Sequence, residues 1–122
     1  MGAFMMDNNQ TLTEDELLEV TIDLGVARKG QLNESFLSMF GSWVKYIMEK
    51  TFGKSGQRLP FKVKGRKAEI ESFAKALSKE RNYIRSIDKF GLNDPRTFKN
   101  KYKTQRAVKQ FERTTGIQWP FK

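Results

Sequence analysis

The chain has 122 residues, a formal net charge of +9, and neither Cys nor His. That length suits one ordinary domain, and the missing residue types exclude disulfides, thiolate metal sites and the commonest general base and metal ligand. The charge is unevenly laid out. Residues 1–24 carry six acids and no Lys or Arg, whereas residues 25–122 carry all 23 bases. The chain therefore divides into an acidic N-terminal arm, residues 1–25, and a single basic helical domain, residues 26–122, that ends in an aromatic tail.

Residues 1–10 show little periodicity and read as a loop. Gly2 to Met6 is an apolar patch followed at once by Asp7, without the basic flank of a signal peptide. Thr11 or Thr13 is placed to N-cap a short acidic helix, with Glu14 or Glu16 as capping-box partner. From Leu18 to Leu24 apolar and polar residues alternate with the period of a strand, although a helix through Leu17, Leu18, Thr21 and Ile22 also fits. Gly25 and Gly30 bracket a loop carrying Arg28 and Lys29.

Asn33 to Gly53 predicts the central helix, with Asn33 as N-cap and Gly53 as left-handed terminator. Phe36, Leu37, Phe40, Trp43, Val44, Ile47 and Met48 share a face that Met39 and Tyr46 widen beyond the usual stripe of about 100°. Its polar strip is narrow and poor in bases, unlike a membrane-surface helix. Lys45, Glu49 and Lys50 interrupt the run well short of the ~20 apolar residues of a membrane span. Lys54 to Gln57 reads as a loop. Arg58 to Lys64 alternates as a short strand that Pro60 pushes toward an edge.

Gly65 ends that strand, and a helix is expected over residues 67–90. Its inward face would hold Ile70, Phe73, Ala74, Leu77, Ile84, Ile87 and Phe90, thinning around Glu80 and Arg81. Asp94 and Pro95 restart the chain as N-cap and N1. Phe98 and Tyr102 do not share a face with Thr104, Ala107, Val108, Phe111 and Thr115, which predicts a short piece over 95–101 and a separate helix over 103–115. Gly116 suits C′ of a Schellman cap that brings Ile117 to Phe111. The tail, Gln118 to Lys122, is extended by Pro120, and Trp119 should be anchored in a groove. The expected fold is mainly α, a compact domain of three to four helices with at most a short two-stranded ribbon, as a hairpin or strand pair, and extended termini.

No catalytic motif emerges. The serines lie mostly in predicted helices without a nucleophile elbow, paired acids such as Glu69 and Glu71 point to different sides of a helix, and Gly53 to Gln57 lacks phosphate-loop spacing. The chain is expected to be non-enzymatic and to use no cofactor or metal. Candidate polyanion contacts are Lys62, Lys64, Arg66 and Lys67 at the strand-to-helix junction, and Lys103, Arg106, Lys109 and Arg113 along the last helix. No helix-turn-helix, zinc-finger or RNA-recognition signature accompanies them, and the aromatics lie at core periodicities. Candidate partner-interface residues are Met39, Trp43, Tyr46, Trp119 and Phe121, with Met39 and Tyr46 expected to remain for the tail or another subunit.

Three stretches, Leu32 to Gly53, Val63 to Ile84 and Phe90 to Lys122, resemble small, mostly uncharacterised proteins of large tailed bacteriophages. Those proteins end in a similar F-E-x-x-T-G-I-x-W-P-F signature, here Phe111, Glu112, Thr115, Gly116, Ile117, Trp119, Pro120 and Phe121. The resemblance implies a virion structural protein of head, neck or tail. It would be made in the host cytoplasm and assemble in many copies with other virion proteins, off the membrane. It transfers no catalytic residue. The alternative is a small nonspecific DNA-binding protein acting in the infected cell.

Overall fold

A computed structural model describes residues 4–5, 11–12, 21–51 and 62–121. In chain order these form β1 (Phe4–Met5), β2 (Thr11–Leu12), β3 (Thr21–Asp23), α1 (Glu34–Thr51), β4 (Lys62–Lys64), α2 (Lys67–Phe90) and α3 (Pro95–Thr115). The fold is mainly α, as the helical periodicities predict. The acidic helix after Thr13, the Gly53 terminator, the 54–57 loop and Pro60 fall outside the described residues. Thr11 does not cap a helix; β2 pairs with β1 as a small antiparallel ribbon. Two-residue strands carry no readable period, so the sequence did not announce them.

β3 and β4 are the two strands the alternation predicts, and they pair in parallel, Ile22 opposite Val63. They are not a hairpin, because α1 lies between them in the chain and forms the crossover that parallel pairing requires. Ile22, Leu24 and Val26, in and just after β3, are core residues. Beyond β3, Asp23 Oδ1 accepts the Gly25 N–H at 2.9 Å and Oδ2 accepts Lys29 Nζ at 2.9 Å, closing the Gly25–Gly30 turn.

Asn33 caps α1 as expected, its Oδ1 accepting the Phe36 N–H at 2.8 Å. The broad apolar face is almost wholly used: Phe36, Phe40, Trp43, Val44, Tyr46, Ile47 and Met48 are buried, with Leu37 and Met39 packed against them. Phe40, Phe73, Phe111 and Trp119, one ring from each helix and one from the tail, form a cluster in which all six centroid pairs lie within 6.4 Å. Offset and edge-on pairs of this kind add about 0.5–1.5 kcal/mol each to the burial of their apolar surface.

α2 spans the predicted residues with its inner face rotated: Phe73 and Leu77 are buried as expected and Ile84, Ile87 and Phe90 are half-buried. Glu69, Ser72, Phe73, Ala76, Leu77, Glu80 and Ser86 are buried, whereas Ile70 and Ala74 are exposed. Buried polar side chains are tolerable only when hydrogen-bonded, and their partners come from distant parts of the chain, which no periodicity reveals. Glu69 illustrates this. Its carboxylate receives Arg28 Nη2 at 2.9 Å and Nε at 3.3 Å, and the Arg66 N–H at 2.7 Å.

α3 is one continuous helix and not two pieces. Asp94 caps it, accepting the Arg96 N–H at 2.8 Å, with Pro95 at the first turn. Its inner face runs unbroken through Thr97, Asn100, Thr104, Ala107, Val108, Phe111 and Thr115. The first part is polar because it docks on polar groups of α2 and of the turn that follows it. Thr97 Oγ1 donates to Gly91 O at 2.7 Å, Thr104 Oγ1 to Lys79 O at 2.8 Å, and Asn100 Nδ2 to Ser86 Oγ. α2 and α3 thus form an antiparallel helical hairpin with a polar seam near its turn and an aromatic seam at its open end.

Candidate functional site

The C-terminal tail is held by a clasp. Gly116 adopts φ 74°, ψ 6°, and its N–H bonds to Glu112 O at 2.8 Å, the single-bond αL form of helix ending. The expected Schellman pattern is not completed, because the Ile117 N–H goes to Thr115 Oγ1 at 3.1 Å. The chain then turns back over α3, and the Trp119 N–H reaches Glu112 Oε2 at 2.9 Å. The Trp119 indole enters the aromatic cluster at 1% exposure, and its Nε1–H donates to Glu80 Oε1 at 3.0 Å. A side-chain methyl at Gly41 of α1 would meet Pro120 at ordinary contact distance, 3.5 Å, so the tail crosses α1 there.

Every residue of the C-terminal signature is accounted for by this clasp. Phe111, Ile117 and Trp119 are buried, Glu112 and Thr115 accept backbone N–H groups, Gly116 supplies the left-handed turn, Pro120 is exposed where the tail passes Gly41, and Phe121 is half-buried. The signature is a folding device. Trp43, Tyr46 and Trp119 are buried within the chain, whereas Met39 and Phe121 retain partial exposure. Trp43 Nε1 has no acceptor among the described residues.

Beside the clasp, α2, α3 and Phe121 line an open groove of about 500 Å³ that includes Glu80, Tyr83, Lys101, Thr104, Lys109 and Glu112. Each of its two carboxylates already receives a hydrogen bond from Trp119. No group of three or more potential metal ligands occurs among the described residues, and none of their helices is long and apolar enough to cross a membrane.

The basic candidates separate into two settings. Lys62, Lys64, Arg66 and Lys67 are all exposed at the β4–α2 junction, but Asp23, Glu69 and Glu71 lie on or beside the same elements. There the Arg28 side chain holds the Glu69 carboxyl below the usual glutamate range, and Lys29 does the same for Asp23. α3 is different. It carries Arg96, Lys99, Lys101, Lys103, Arg106, Lys109 and Arg113 against one acid, Glu112, which is turned toward the tail.

On the continuous helix, Lys99, Arg106, Lys109 and Arg113 fall on one outward stripe with Phe98 and Tyr102, and Lys103 flanks it; all seven are exposed. The two aromatics join the basic row only because the helix runs unbroken from Pro95 to Thr115, where the sequence pattern predicts two pieces. Their spacing of four residues was the available signal. No family model, curated protein sequence or solved structure matches the chain.

Proposed function

We propose that the chain is a non-enzymatic protein that binds nucleic acid without sequence preference through the outward face of α3. The observation that carries this reading is that face itself: Lys99, Lys103, Arg106, Lys109 and Arg113 are exposed, with no acid on the stripe and no ion pair among the described residues. A rigid row of cations displaces condensed counterions from a phosphate backbone, and that release drives association without reading bases. The burial of Trp43, Tyr46 and Trp119 supports this reading, since it leaves less apolar surface for a protein partner than the apolar width of α1 promised.

The test is anisotropy of a labelled random-sequence oligonucleotide titrated with the full chain at low salt. The triple substitution Lys103→Glu, Arg106→Glu, Lys109→Glu should weaken binding by about a hundredfold or more, since each loses a phosphate contact and adds repulsion. The equivalent change at Lys62, Lys64 and Lys67 should matter far less. Absence of binding by the unaltered chain at low salt would refute the reading.

A second reading is a structural protein of a tailed-phage particle, assembling with other virion proteins. It is favoured by the three stretches resembling phage proteins and by Leu92, well exposed at the α2–α3 turn. The two are compatible in a particle protein that faces packaged DNA. Mass spectrometry of purified particles tests the second reading: the chain should be present, and its absence would rule out the virion role.

A further inference from the structure

We infer that the outward face of α3 takes single-stranded nucleic acid in preference to duplex, with Phe98 and Tyr102 as stacking platforms between phosphate-binding cations. This rests on the nucleic-acid reading above and adds the form of the ligand. Phe98 is 54% and Tyr102 64% exposed. They stand one turn apart on the same side of α3, separated by about 6 Å along the helix axis. Neither ring packs on another aromatic ring among the described residues, unlike the four rings of the core cluster.

Isolated exposed apolar side chains are ordinary. Two adjacent aromatics on an otherwise cationic stripe are a different arrangement. Lys99 lies beside Phe98, and Lys103 and Arg106 lie beside and one turn beyond Tyr102, so any backbone neutralised by the cations passes over the rings. The rings can gain contact area only from bases that are free to leave their own stack. A duplex keeps its base faces inside the helix, whereas a single strand offers them. Sequence tolerance follows, because every base has a π-face. Arg106 extends the platform, its planar guanidinium being able to stack as well as to pair with phosphate.

The experiment titrates the full chain against three labelled probes of equal length: a mixed-sequence single strand, its duplex, and an abasic single strand. The single strand should bind about tenfold or more tighter than the duplex and the abasic strand. Phe98→Ala with Tyr102→Ala should remove that advantage while leaving duplex binding nearly unchanged. Both side chains are exposed, so the double variant should keep its helical circular dichroism and unfolding midpoint, which are checked on the same samples. Equal binding to all three probes, insensitive to the aromatic substitutions, would overturn the stacking inference and leave the electrostatic reading standing. No binding to any probe would overturn both.

Discussion

Trp119 Nε1 and Glu80 Oε1 lie 3.0 Å apart, and this bond joins the last residues of the chain to the middle of α2 through an otherwise apolar cluster. Glu80 is only 7% exposed, so its carboxylate depends on the indole that reaches it. Trp119→Phe keeps the ring contacts but strands the carboxylate, and should destabilise by about 1–3 kcal/mol. Combining it with Glu80→Met should recover much of that loss, since an unpaired buried acceptor is costlier than its absence. Trp119→Ala should cost about 3–5 kcal/mol by opening a cavity as well. Urea midpoints of the three variants measure the series.

Gly116→Ala tests the turn that aims the tail. Its φ of +74° disfavours any side chain, and a methyl there would lie 2.9 Å from Ala27 Cβ. We expect a loss of at least about 1 kcal/mol, from the left-handed conformation and the close contact together. An unchanged unfolding midpoint would mean that the turn does not hold Ala27 against α3.

Glu69 gives the acid limb of the stability profile. Arg28 first, and then the Arg66 N–H, hold its carboxyl below the ordinary value. A lowered folded pKa contributes stability that is fully present above the unfolded value, about 4.3, and is lost as pH falls through the folded one. Asp23 and Asp94 are lowered as well and act in the same acid region. Glu69→Gln should therefore lower stability at neutral pH and flatten, without abolishing, the decline below about pH 4.3. Thermal midpoints collected down the acid range check both parts.

Much of the fold was legible where side chains act on their own neighbours. Asn33, Asp94 and Gly116 announced helix ends, and the spacing from Phe36 to Met48 announced the hub. The differences at α2 and α3 share one cause. Glu69, Glu80, Ser86, Thr97 and Thr104 are polar residues buried by partners remote in sequence, so a hydrophobic pattern rotated α2 and cut α3 in two. That cut hid the candidate site, because Phe98 and Tyr102 join the basic stripe only on an unbroken helix.

Phe98→Ala and Tyr102→Ala should each change folding stability by less than about 0.5 kcal/mol, as surface positions do. The comparison with Trp119→Ala is informative, for all three remove a large aromatic. A loss above about 2 kcal/mol at either exposed position would mean that the ring belongs to the fold.

The dependence of affinity on salt tests the account most directly. If Lys99, Lys103, Arg106, Lys109 and Arg113 all meet phosphates, log K against log salt should fall with a slope of about −3.5 on a single strand and about −4.5 on duplex. Arg106→Ala and Lys109→Ala should each reduce the single-strand slope by about 0.7. A slope near zero, or one that neither substitution changes, would contradict the assignment of α3 as the binding face.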